Sequence, residues 1–215
     1  MSDKTMAENL KGFAAKKVLN YLDEDPDKAL PKLLSWADKF DTTDRFLSHR
    51  NAFRTVIENP DNHWNKLIKS LWTDIDDDVR KVFFENFIVN SALIGQVRQE
   101  KFAAEHGCNI PWAILMDLTS ACNLKCTGCW AAEYGHKLNL EYELLDDVIR
   151  QANEMGTYMF LFSGGEPLVR KDDVIRLCEA HPDCMFLAFT NGTLIDENFA
   201  DEMLRVKNFI PAISV

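Results

Sequence analysis

The chain has 215 residues, 47% hydrophobic and 27% charged, with 34 acidic side chains against 24 Lys and Arg and a formal net charge of -10. Such a composition suits a core-forming protein of one large or two small domains and excludes disorder as the default. The acidic excess argues against nucleic acid as the main partner, because phosphate binding rests on clustered Lys and Arg. The N-terminus is polar, and no run approaches the ~18–20 apolar residues of a membrane span, so a cytoplasmic protein is expected.

From the start to about residue 110 the pattern is helical, with apolar residues at three- and four-residue steps. Leu10, Phe13, Ala14, Val18 and Tyr21 form the first stripe. Asp25-Pro26 and Asn59-Pro60 read as breaks, since the residue before proline is pushed out of the helical region. Helices are predicted at Pro31–Phe40 and Asp44–Glu58. A longer one from Asp76 to about Glu105 opens on an acidic run, Asp74–Asp78, and is expected to be buried around Phe83–Ile94. Trp36, Trp64 and Trp72 are expected to pack this helical part.

After Gly107 short β-rich runs alternate with amphipathic stretches, the pattern of β/α units around a parallel sheet. Strands are predicted at Trp112–Leu118, Tyr158–Phe162, Met185–Thr190 and Phe209–Val215. Helices are predicted at Leu140–Met155, Lys171–Ala180 and Asp196–Arg205. Four strands do not close a barrel, and a last apolar edge strand is a liability, so a truncated chain is expected. The expected domains are an all-α part, 1–110, and an α/β part, 111–215.

Six cysteines in such a chain point to metal or redox chemistry more than to a disulfide framework. Cys108, Cys178 and Cys184 read as free cysteines acting as small apolar residues. The five histidines show no metal-ligand spacing and suit surface or capping roles. The remaining three cysteines stand together in Cys122-Asn-Leu-Lys-Cys126-Thr-Gly-Cys129.

They lie in a connection, Thr119–Asn139, far longer than the usual two to six or so residues between strand and helix. Long loops at the carboxyl ends of parallel strands are where sites are built. Three thiolates at these spacings can each ligate one iron of an iron–sulfur cube, which leaves the fourth iron open. Structural zinc would want a fourth ligand, His136 or Cys108. A two-cluster ferredoxin would need a fourth cysteine soon after Cys129, and none follows.

CNLKCTGC after a β-strand resembles the C-x₃-C-x₂-C signature of the radical S-adenosylmethionine (radical SAM) superfamily. Ser163-Gly164-Gly165-Glu166-Pro167, at the end of the second strand, is similar to that family's GGEP motif. Thr190-Asn191-Gly192-Thr193, after the third, is similar to its TNG turn. The resemblance implies a partial (β/α)₆ barrel with a [4Fe–4S] cluster on Cys122, Cys126 and Cys129, and S-adenosylmethionine held on the open iron. It implies reductive cleavage to a 5′-deoxyadenosyl radical that abstracts hydrogen from a substrate, with a reductant such as flavodoxin or ferredoxin as partner.

By the same resemblance Gly164, Gly165, Glu166 and Pro167 bind the cofactor's amino end. Thr190, Asn191 and Ser214 are further cofactor neighbours. Many members carry an aromatic residue just before the third cysteine; here Gly128 stands there and Trp130 follows the cysteine. That style looks closest to relatives that modify peptides or proteins. The competing reading is a non-catalytic iron–sulfur or zinc module serving as a redox sensor or electron carrier.

Overall fold

The computed structural model describes residues 13, 17–40, 47–135 and 137–214. Two compact units, Phe13–Lys81 and Val82–Val215, divide the chain.

The first unit is helical: α1 (17–24), α2 (Pro26–Phe40), α3 (Leu47–Ile57), α4 (His63–Thr73) and the first residues of α5 (Asp77–Phe83). Helix α2 begins at Pro26 rather than at the predicted Pro31, because a proline at the first helical position gives up an N–H that has no intrahelical partner anyway. The predicted start of α3 at Asp44, and Leu10 and Ala14 of the first stripe, lie outside the described residues. Leu19 and Leu22 are the buried residues of α1, while Val18 and Tyr21 are half-buried and Phe13 is exposed. Asn62 caps α4 by accepting from Trp64 N at 2.8 Å, and this start leaves the Trp64 side chain 65% exposed, contrary to the packing role expected for it. Asp76 caps α5 by accepting from the backbone of Asp78 and Val79. One turn on, Arg80 is buried and bonded to Asp23, Asp77 and the carbonyl of Leu71.

The second unit carries the sheet. Helix α5 widens into a π-helical stretch, Phe84–Gly95, and continues as α6 (Gln96–His106). Gly107 (φ +64°) ends α6 in the left-handed region and turns the chain outward. Cys108 is therefore exposed, not buried as expected. The strands are β1 (Ala113–Thr119), β2 (Met159–Gly164), β3 (Met185–Thr190) and β4 (Phe209–Ile213), all parallel and in the order β1-β2-β3-β4. Between them run α7 (Tyr142–Glu154), α8 (Lys171–Ala180) and α9 (Glu197–Val206), the last capped by Asp196 accepting from Phe199 N. This is the expected α/β architecture with a parallel sheet. The strand predicted to reach Val215 ends at Ile213, although Ser214 N still donates to Thr190 O; Val215 lies outside the described residues.

One face of the sheet is buried under α7 to α9. Met116, Leu118, Phe160, Phe162, Phe186, Ala188 and Phe209 alternate onto it, and the Phe186 ring stacks on both Phe160 and Phe162. Burying each phenylalanine contributes about 1.5–3 kcal/mol, which fixes the strand register by side-chain parity. The amino ends of the strands are closed by polar side chains. Asn86 donates to the carbonyls of Pro182 and Cys184, Asn90 to Asp183, and Gln99 to Gly156. Residues 82–106, grouped by pattern with the N-terminal helices, are thus tied to the turns that lead into β2 and β3. The carboxyl ends are left to loops.

Candidate active site

At the carboxyl end of β1 the ladder slips between Asp117 and Thr119, and the chain leaves in the long cysteine loop. The loop is closed by its own stem. Ser120 N donates to Leu138 O, Leu140 N to Leu118 O, and Thr119 pairs antiparallel with Asn139, their side chains joined at 2.6 Å. The backbone of Leu140 is thereby committed to the stem, so α7 starts at Tyr142 instead of the predicted Leu140. Arg170 bolts this stem from below, donating to the carbonyls of Leu118 and Leu140 while its other nitrogens bond Asp173 Oδ2.

Gly164 and Gly165 press directly on the loop. Gly165 N donates to Thr119 O at 2.7 Å, and Glu166 N to Ala121 O at 2.8 Å. A Cβ on Gly164, whose φ is +110°, would stand 2.4 Å from Thr119 O, and one on Gly165 would stand 2.2 Å from Ala121 O. Only glycine lets the two backbones approach this closely. The backbone that approaches the two glycines is that of the cysteine loop.

Glu166 is buried, 1% exposed, and turned under the rim. Its Oε1 accepts from Leu168 N at 3.0 Å and from Thr190 Oγ1 at 2.6 Å, and its Oε2 accepts from Asn191 N at 2.8 Å. A buried carboxylate is tolerable when its lone pairs are filled in this way. Glu166 therefore fastens the end of β2 to the end of β3. Pro167, also buried, opens the one-turn helix Pro167–Arg170 that delivers Arg170 to the stem. Thr190 is buried as well, Asn191 is half-buried, and Ser214 is exposed just past β4.

Cys122, Cys126 and Cys129 are free thiols that line one cavity of about 250 Å³ together with Ser120, Leu124, Lys125 and Ala131. Leu124 N donates to Cys122 Sγ at 3.4 Å, and Cys129 N to Cys126 O at 3.3 Å. Among the described residues no three His, Cys, Asp or Glu side chains gather closely enough to enclose a single ion. Ligands of an iron–sulfur cube need not meet at one point, since each binds a different iron. Soft thiolates around a cavity of this size fit such a cluster. His136, weighed with Cys108 as a fourth zinc ligand, lies outside the described residues.

A second cavity of about 550 Å³ adjoins the loop, lined by Asp117, Trp130, Tyr134, Leu138, Gly164 and Gly165 among others. The Trp130 and Tyr134 rings meet edge to face at 5.8 Å. Thus the structure brings the three cysteines, the two glycines and Trp130 to neighbouring cavities, with Glu166, Pro167 and Thr190 beneath them as supports. Sequence reasoning missed Asn123, Asn139, Asp117 and Arg170. Asn123 and Asn139, both in a loop already singled out, carried the best available signal.

Cys178 and Cys184 are inert by environment. Burial raises both thiols, Cys184 to about 12 and Cys178 further still. They lie at the opposite end of the sheet, before β3 and on α8.

A parallel α/β sheet with a thiol-lined loop and a glycine floor at its carboxyl rim defines a cofactor-binding α/β protein. Residues 116–215 match the family model "Radical SAM superfamily", a family whose cofactors are a [4Fe–4S] cluster and S-adenosylmethionine. The chain is 36% identical over 100 residues to the Fe-coproporphyrin III synthase of Methanosarcina barkeri, covering 43% of this chain and 24% of that protein. It is 37% identical over 93 residues to the GTP 3',8-cyclase of Geobacter sulfurreducens, covering 40% and 28%. Among solved structures it is similar to Streptococcus suis SuiB bound to the precursor peptide SuiA, with a TM-score of 0.46, 22% identity, and coverage of 57% of this chain and 28% of that one. The matched stretch spans roughly a quarter of the length of each of these proteins. No helix among the described residues is long and apolar enough to cross a membrane.

Proposed function

We propose that this chain carries the cluster and cofactor half of a radical S-adenosylmethionine enzyme. The observation that carries the reading is the lining of one cavity by Cys122, Cys126 and Cys129, beside a second floored by Gly164 and Gly165. When bound on these thiolates, a [4Fe–4S] cluster would supply the one-electron reduction that splits the S-adenosylmethionine sulfonium into methionine and a 5′-deoxyadenosyl radical able to take hydrogen from the substrate. The chain's own residues do the positioning. The three thiolates hold the cluster, Gly164 and Gly165 offer backbone to the cofactor's amino end, and Glu166 with Thr190 holds that backbone in place. Pro167 sets the turn that follows, while Asn191 and Ser214 stand at the rim as further cofactor neighbours.

By this reading residues 111–215 are the radical core and 1–110 an all-α accessory part, in a cytoplasmic enzyme reduced by a flavodoxin or ferredoxin. The names of the similar proteins span a porphyrin, a nucleotide and a peptide. From the Trp130 motif style we take a peptide or protein as substrate. Anaerobic reconstitution tests the core claim. The expected product is a brown protein with about four irons and four sulfides per chain, whose electron-spin signal changes on adding S-adenosylmethionine and which forms 5′-deoxyadenosine under strong reductant. One zinc per chain without sulfide would sink it. A cluster indifferent to S-adenosylmethionine would favour the sensor or electron-carrier alternative.

A further inference from the structure

Asn123 follows the first cysteine and belongs to none of the strand-end motifs, yet its side chain is engaged at both ends. Its Nδ2 donates to Thr193 Oγ1 at 2.7 Å, and its Oδ1 accepts from Asn191 Nδ2 at 2.9 Å. Those partners are themselves fixed. Thr193 donates through N and Oγ1 to Asn191 Oδ1 at 2.9 and 2.6 Å, and Asn191 N donates to the buried carboxylate of Glu166. A continuous hydrogen-bonded path thus runs from the end of β2, through the turn after β3, into the cysteine loop.

The residues flanking Cys122 are held as well. Ala121 N donates to Thr119 Oγ1, and Ala121 O accepts from Glu166 N. On the other side Leu124 N donates to Cys122 Sγ at 3.4 Å. Cys126 and Cys129 are exposed, and a backbone bond from Cys129 N to Cys126 O joins them.

We propose that Asn123 is a positioning residue for Cys122. Its clasp with Asn191 and Thr193 holds the 122–124 turn so that the Leu124 amide stays aimed at the cysteine sulfur. This rests on the reading of Cys122 as a cluster ligand. An N–H donated to a ligand sulfur stabilises the more electron-rich, reduced cluster and so raises its reduction potential. The turn after β3 therefore acts on the cluster's ease of reduction without touching it.

The test compares the full chain with Asn123→Ala, Thr193→Val and the conservative Thr193→Ser. Reconstituted proteins are titrated redox-potentiometrically with electron-spin detection, beside iron and sulfide content and circular dichroism. Expected is unchanged folding, with reduction disfavoured about tenfold in Asn123→Ala and Thr193→Val, the usual scale for losing an outer partner of a ligand, and restored in Thr193→Ser. Equal potentials in all four proteins would overturn the proposal. Hydrogen exchange of the Leu124 amide in the iron-free chain gives a second reading: about tenfold faster in Thr193→Val supports the clasp, and no change overturns it. A wild-type chain that builds no iron–sulfur cluster defeats the ligand reading itself, whereas a loaded wild type with unshifted variants defeats only the clasp.

Discussion

At Gly165 one methyl group decides whether the cysteine loop can seat, because the added carbon would lie 2.2 Å from the backbone oxygen of Ala121. Backbone cannot swing aside as a flexible side chain can. Gly165→Ala is expected to cost about 1–3 kcal/mol in urea unfolding and to lower iron uptake on reconstitution. At Glu166 the issue is donors and acceptors rather than space. Three donors converge on its two oxygens, so Glu166→Gln replaces one accepting oxygen with an NH2 group that faces a donor. A loss of about 1–3 kcal/mol is expected, read as a lower urea midpoint at unchanged slope.

Among the elements, the one-turn helix after Glu166 carries the largest leverage on the loop. Arg170 reaches from it to both carbonyls of the stem, and Arg170→Leu would leave the Leu118 and Leu140 oxygens with fewer donors. Faster hydrogen exchange at the Leu140 amide is the expected outcome, with the sheet amides unchanged; equal exchange there would refute the bolt. Sequence reading saw the elements well. Strand β3 and helix α8 match their predicted bounds, because Met185–Thr190 and Lys171–Ala180 are flanked by turn residues and carry one clear period each. It also singled out the three cysteines and two glycines that line the cavities at the carboxyl rim. What it could not see was the scaffolding between motifs. The partners of Asn123 lie 68 and 70 residues away, and those of Arg170 30 and 52, distances at which periodicity is silent. Trp64 misled for a related reason: hydrophobicity says that a side chain gains from burial, not that a neighbour is there to cover it.

For the whole molecule, the two ends of the sheet divide the labour. The carboxyl rim holds the half-buried Cys122 with the exposed Cys126 and Cys129, and the amino end hides Cys178 and Cys184, which burial keeps protonated well above the ordinary thiol range. In the unfolded chain these thiols ionise near 9.0, so below that pH folded and unfolded states carry the same protons and stability is full. Above it the unfolded state is favoured by ionisation, and stability falls as pH rises from 9.0 toward about 12. Each thiol adds up to about 1.4 kcal/mol per pH unit to that decline. Urea midpoints measured below pH 9.0 and between 9.0 and 12 should converge in a Cys178→Ala, Cys184→Ala variant relative to the wild type. A decline as steep as the wild type's would show that other groups drive it.

The stem that joins Thr119 to Asn139 also bears on how freely the loop can vary. Because its two ends are hydrogen-bonded before any ligand arrives, the entropy of bringing them together is charged to folding and not to cluster binding. Chain length beyond the third cysteine then matters only logarithmically, about 0.6 kcal/mol for each doubling. A short Gly-Ser insertion after Gly135 should leave iron affinity nearly intact, while the same insertion between Cys122 and Cys126 should abolish it. In this fold a metal loop can lengthen at its tip while the spacing of its ligands stays fixed.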